Sequence, residues 1–108
     1  MINFWQQFNG PVFSLAPMED VTDTVFREIV MGMSAPGKLN VVFTEFTSVE
    51  GMNHPVGRQR VSERLIVNES ERELLKKLNI KLVAQIWGRN PGIYHNIARH
   101  LTENYQFD

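Results

Sequence analysis

Strand-like and helix-like stretches alternate three times along this chain, and that alternation limits the folds open to it. Strands are expected at Val12 to Ala16, ending at Pro17, at Asn40 to Phe46, rich in Val and Phe, and at Lys81 to Ile86, stopped by Gly88. The first helix is expected from Thr22 to Met33, with Val25, Phe26, Ile29, Val30 and Met33 on one apolar face. Asp20 or Thr22 would cap its start, with Asp23 in the first turn. Gly32 and the Ser34 to Gly37 stretch would end it. A capping box, Ser70-Glu71-Arg72-Glu73, opens a helix whose buried face is Leu74, Leu75 and Leu78. Asn90-Pro91 opens the last helix, which runs to about Asn104 on Ile93, Ile97 and Leu101. Between the second strand and the capping box, Thr47 to Val67 holds Gly51, Pro55 and Gly57, and could contain a short helix and an irregular return.

Strands separated by helices pair in parallel through crossover connections. Three βα units begin a barrel or a doubly wound sheet without completing either. A three-stranded parallel sheet leaves two unpaired edges. The expectation is a piece of a longer chain, or a chain that covers its edges by self-association. Its 108 residues fit one domain portion and no second domain.

Composition excludes more than it suggests. A formal charge of -1 gives no electrostatic support for nucleic-acid contact by the chain as a whole. With no cysteine, these residues hold no disulfide, thiolate metal site or cysteine nucleophile. Met1 to Gly10 lacks the basic start and apolar run of a signal peptide. No stretch approaches the ~20 apolar residues that span a bilayer. The reading is a soluble, cytoplasmic protein with no membrane and no metal partner.

Chemistry is expected where strands lead into helices, because a parallel barrel binds ligands at the C-terminal ends of its strands. Three such segments carry polar groups: Ala16 to Asp20, Thr44 to Ser48, and Gln85 to Asn90. Pro17 stiffens the first and leaves the following N–H groups free for a ligand. Gln85 offers a donor and an acceptor suited to the edge of a flat heterocycle. Glu45 is either close to a ligand or bonded to a neighbouring loop. His95 and His100 lie five apart and His54 stands alone, so surface histidines are the better reading than metal ligands. Arg58, Arg60 and Arg64, with Lys76, Lys77 and Lys81, could touch RNA. The interleaved Glu63, Glu69, Glu71 and Glu73 favour a solvated, charge-balanced face instead. Phe4, Trp5 and Phe8 suit a barrel plug or a protein contact rather than base stacking.

Taken together, the three segments resemble one enzyme family. Leu15-Ala16-Pro17-Met18-Glu19-Asp20-Val21-Thr22-Asp23, then Phe26-Arg27, resembles the opening motif of the tRNA-dihydrouridine synthases. Val42-Phe43-Thr44-Glu45-Phe46 resembles that family's second strand, commonly Val-Thr-Glu-Met, and Val83-Ala84-Gln85-Ile86-Trp87-Gly88 its third, usually ending Gln-Leu-x-Gly. The resemblance implies the N-terminal portion, residues 1–108, of an FMN-binding TIM (β/α)8 barrel, to which the family adds a helical domain that grips tRNA. It implies reduction of the uridine C5–C6 bond: NADPH reduces the flavin, hydride passes to C6, and a cysteine protonates C5. Pro17, Met18 and Glu19 match the backbone segment against the flavin ring, and Gln85 matches the glutamine on the flavin pyrimidine.

Two positions depart from the pattern. Many members carry glycine at Asp20, so this loop is expected to be less free to take unusual backbone angles. Trp87 stands where a smaller, aliphatic or phenylalanine side chain is usual. The family continues with a strand reading roughly Gly-Ile-Asp-Ile-Asn and then a Gly-Cys-Pro segment, beyond Asp108. The chain alone is therefore expected to have no catalytic residue, little or no turnover, and weak or absent FMN binding. Two other readings stand: a truncated, non-enzymatic half-barrel held together as a homo-oligomer, and another FMN-binding barrel such as an old yellow enzyme or a dihydroorotate dehydrogenase.

Overall fold

The computed structural model describes residues 3–108. Met1 and Ile2, the start of the segment read against a leader peptide, lie outside the described residues. The chain folds as α/β with parallel pairing throughout. Strands β1 (Ser14–Leu15), β2 (Val41–Phe43) and β4 (Lys81–Val83) form one sheet in the order β1-β2-β4. A second pair, β3 (Thr47–Ser48) and β5 (Ile86–Trp87), continues the second and third strands after an interruption. No closed barrel is present among the described residues, so the expected partial barrel reduces here to parallel sheets with helices between the strands.

Each expected strand is shorter than its apolar run. Of the first, Ser14 and Leu15 pair with Val41 and Val42, and the Phe13 carbonyl accepts the Asn40 N–H at 2.7 Å. Asn40 to Phe46 and Lys81 to Ile86 both break partway, where Thr44 to Phe46 and Ala84 to Gln85 leave the ladder. The region 47–67 is more regular than the sequence suggested. It holds β3, the helices α2 (Val49–Asn53) and α3 (Pro55–Val61), and a 3-10 turn at Ser62–Leu65. Ser48 caps α2 by accepting the Gly51 N–H at 3.1 Å. A Cβ at Gly57 would lie 2.7 Å from the Gly51 carbonyl oxygen, so α2 and α3 meet backbone to backbone.

Helix α1 (Thr24–Met33) is turned away from its expected face. Asp23, not Asp20 or Thr22, is the cap, accepting the Phe26 N–H at 2.8 Å. Its buried residues are Thr24, Arg27 and Met31, whereas Val25, Ile29 and Met33 are each more than half exposed. The buried face is set by an ion pair with α4 (Glu69–Leu78), which outweighs the apolar stripe.

In α4 the capping box does not form. Ser70 lies within the first turn and donates to Glu28 at 2.9 Å, while Asn68 is the cap residue without a side-chain bond. Glu71, expected on a solvated face, is fully buried. At the other end Asn79 takes a left-handed φ of 53°, and Ile80 N–H donates to the Leu75 carbonyl at 2.9 Å, closing the last turn. Helix α5 (Pro91–Asn104) matches its expectation, with Asn90 accepting the Ile93 N–H at 3.1 Å and Ile97 and Leu101 buried.

Two apolar clusters result. Met31, Val42, Leu75, Ile80 and Leu82 pack between the sheet, α1 and α4. Val49, Met52, Leu65, Ile97 and Leu101 pack α2 against α5. Phe107 touches both clusters, and the Asp108 N–H donates to the Leu82 carbonyl at 3.0 Å along the free edge of β4. Phe4, Trp5 and Phe8 gather around a 3-10 turn, Phe4–Gln7, with ring centroids 4.6 to 6.4 Å apart, and none of the three is buried.

Candidate ligand-binding site at the strand ends

Hydrogen bonds stitch the three polar segments together. The Gln85 N–H donates to Thr44 Oγ1 at 3.0 Å, and the Thr47 N–H donates to the Gln85 carbonyl at 2.9 Å. The Asp20 N–H donates to Glu45 Oε1, tying the first strand end to the second. Of the two readings for Glu45, the bond to a neighbouring loop is therefore the one realised.

The first segment is a compact turn. Val21 and Thr22 N–H groups both donate to the Met18 carbonyl, at 3.1 and 3.0 Å. Thr22 Oγ1 accepts the Met18 N–H at 3.0 Å, the task its side chain performs in place of capping α1. Asp20 sits at φ 59°, in the left-handed region. Aspartate thus adopts here the angle that glycine would take without strain, contrary to the expected stiffness. Nor does Pro17 leave the following donors open. Met18 and Asp20 N–H groups are both engaged, and of the pair Met18 and Glu19 only the Glu19 N–H has no partner among the described residues.

Of the four residues matched to flavin contacts, Pro17 is half-buried while Met18, Glu19 and Gln85 are exposed. The Gln85 carboxamide makes no hydrogen bond among the described residues. Glu19 instead binds Arg64, whose guanidinium lies 2.8 Å from Oε1 and 5.3 Å from the Phe46 ring centroid. That hydrogen bond is the main cause of a raised Arg64 pKa, with the charges of Glu45 and Asp20 adding to it. Arg64 is thus an internal clamp on the site rather than a free member of a basic patch. Its signal in the sequence, one arginine among three, gave no way to tell it from Arg58, which donates to the Met52 carbonyl at 2.7 Å.

The turn after β5 is fixed from α2. Glu50 Oε1 accepts the Arg89 and Asn90 N–H groups at 2.7 and 3.0 Å, placing a carboxylate at the start of α5. These bonds, Arg89 first, hold the Glu50 carboxyl below the usual glutamate range. A carboxylate depressed in the folded state contributes stability above its unfolded pKa, lost as pH falls through the folded value. Glu50→Gln should lower the urea midpoint at pH 7; the difference should begin to shrink as pH falls past the ordinary glutamate pKa of ~4.3 and vanish only below the lowered folded-state value. An equal difference at every pH would refute the role of the charge.

A cleft of about 540 Å³ opens beside Asn53, Pro55, Arg58, Gln59, Ser62 and Tyr105, and its lining includes none of the four matched residues. Among the described residues, no three His, Asp or Glu side chains gather into a group that could hold a metal ion. No helix there is long and apolar enough to cross a membrane.

Comparison with known proteins shows what this chain is similar to. The chain is 42% identical over 101 residues to "Probable tRNA-dihydrouridine synthase 2" of Bacillus subtilis (strain 168), covering 94% of this chain and 28% of that protein. It is 45% identical over 101 residues to "Probable tRNA-dihydrouridine synthase" of Staphylococcus aureus (strain COL), covering 94% of this chain and 27% of that one. The chain is a relative of the tRNA-dihydrouridine synthases. Its similarity to these synthases takes in all three strand ends, since any 101 consecutive residues of 108 include positions 8–101. The chain spans a little over a quarter of the synthases it matches. No protein-family model matches the chain, and no solved structure does.

Proposed function

We propose that this chain supplies the flavin-facing opening βα units of a (β/α)8 barrel that reduces uridines in tRNA with NADPH. The observation that carries the reading is the stitched rim of strand ends, which leaves the Glu19 N–H and the Gln85 carboxamide as unpartnered polar groups. An uncharged planar heterocycle with donors and acceptors on its edge fits such groups, as the flavin pyrimidine of FMN does. Pro17 and Met18 would lie against the ring, and Gln85 would hydrogen-bond its edge. FMN, when bound, would carry the hydride from NADPH to uridine. None of the four residues carries a positive charge to hold its phosphate, and Arg64 is committed to Glu19.

The chain has no cysteine, so it brings no thiol to protonate uridine C5. A positioned general acid contributes about 10²–10⁴-fold. The chain incubated alone with tRNA, FMN and NADPH should form no dihydrouridine above background, as measured by mass spectrometry of digested tRNA. Turnover by the chain alone would overturn that part. Calorimetric titration with FMN tests the site: Gln85→Ala should weaken binding roughly 3- to 10-fold, the value of one ordinary hydrogen bond. An unchanged affinity would remove Gln85 from the site.

One observation favours a second reading, a self-associating half-barrel without enzymatic activity. Val25, Ile29 and Met33 form an exposed stripe on α1, and β1 is an open sheet edge. A monodisperse dimer that binds no FMN would support it, and a monomer binding one FMN would exclude it.

A further inference from the structure

The break between β2 and β3 is a bulge. Phe43 pairs with Val83 and Thr47 with Ile86, so four steps along the second strand (43 to 47) answer three along the third (83 to 86). One extra residue kinks a strand and re-aims side chains near it. Thr44 and Glu45, inside this interruption, are both buried. Thr44 receives the third strand end through the Gln85 N–H, and Glu45 receives the first through the Asp20 N–H.

We propose that Glu45 is a positioning residue, a latch that holds Asp20 in its left-handed turn and so aims the Met18–Glu19 backbone at the strand-end site. That Met18–Glu19 faces a flavin rests on the function proposed above; the latch itself does not. A left-handed angle is costly for any residue but glycine and persists where surrounding bonds over-determine it. Three bonds do so here: Asp20 N–H to Glu45, and Val21 and Thr22 N–H to the Met18 carbonyl. Only the first comes from outside the turn. Glu45 is 7% exposed, and a buried carboxylate needs a compensating partner. The Asp20 N–H is one, and the Arg64 guanidinium, held by Glu19, adds favourable charge. Arg64 also lies 4.0 Å from Asp20, so the turn is gripped from the strand side by an acid and from the solvent side by a base.

The test reads the Asp20 amide in the ¹⁵N-labelled full chain and, separately, FMN affinity by calorimetry. Glu45→Ala should cut hydrogen-exchange protection at Asp20 about 10- to 100-fold, as expected for a bond to a charged acceptor. FMN affinity should fall with it. Glu45→Gln keeps an oxygen that can accept the same N–H; it should retain much of the affinity while moving the Asp20 amide proton upfield, as a neutral acceptor does. Adding Asp20→Gly to Glu45→Ala should restore affinity, because glycine needs no latch. An Asp20 amide unchanged in both shift and exchange in Glu45→Gln and Glu45→Ala overturns the proposal. If Glu45→Ala does not fold, the shift in Glu45→Gln decides alone. If the parent chain, for which weak or absent FMN binding is expected, binds none, the amide result alone decides the latch.

Discussion

Arg27→Met is expected to destabilise the chain by about 3–5 kcal/mol, the usual result of orphaning one half of a buried ion pair. Arg27 and Glu71 are both fully buried, with Nε to Oε1 at 2.6 Å and Nη2 to Oε2 at 2.9 Å. Nη1 donates to the Thr22 carbonyl at 2.7 Å and Nη2 to that of Ile66 at 3.1 Å, while the Thr24 hydroxyl donates to Glu71. Methionine fills similar space but leaves the Glu71 carboxylate with one hydroxyl donor and two carbonyls without partners. Small domains sit near the low end of the ~5–15 kcal/mol typical of native proteins, so much of the variant should be unfolded without denaturant. Equilibrium urea unfolding checks this, and a loss under ~1 kcal/mol would mean the pair behaves like an exposed one. Arg27→Met with Glu71→Leu should recover much of the loss, since apolar replacement of both partners is often neutral. The single variant should also loosen the candidate site, because Arg27 holds the Thr22 carbonyl and Thr22 Oγ1 receives the Met18 N–H.

Gly88→Ala should cost about 1–3 kcal/mol, the range for forcing extra atoms into a packed interior. A Cβ there would lie 2.1 Å from Val49 Cγ2 and 2.8 Å from Glu50 Oε2. Glu50 can swing aside at the expense of its bonds to Arg89 and Asn90. Val49 has nowhere to go: it is fully buried among Met52, Leu65, Ile97 and Leu101. Val49→Ala removes the obstructing methyl groups, so the double variant should lose less stability than the two single losses summed. Strict additivity in thermal unfolding would show that Gly88 is constrained by something other than Val49.

The sequence was most readable where local chemistry alone decides. Asn90-Pro91 starts α5 where expected, and Val41, Val42 and Leu82 lie buried in the parallel strands drawn from apolar runs. The strand-end segments were legible through resemblance, and the similarity to named synthases supports it. What escaped depends on partners distant in sequence. The bulge follows from the register of two strands 40 residues apart, as in the pairing of Val42 with Leu82. Glu71 does carry a local signal: it lies four residues before Leu75, on the helix face that packs inward. The buried face of α1 is set not by its apolar stripe but by Arg27 and Thr24, through Glu71. Gly88, read as a strand stop, is required by lack of room as well.

The position that departs most visibly from the resemblance carries an optical consequence. Trp87 is 48% exposed and meets Phe46 edge-on, with centroids 6.2 Å apart; Phe46 carries Arg64, and Arg64 holds Glu19. Indole emission is sensitive to neighbouring charge and polarity, so this relay writes movements of the first strand end into the colour of one side chain. The other tryptophan, Trp5, sits in the N-terminal turn against Phe4 and Phe8. With Trp5 silenced by phenylalanine, the chain becomes its own dye for events at the rim.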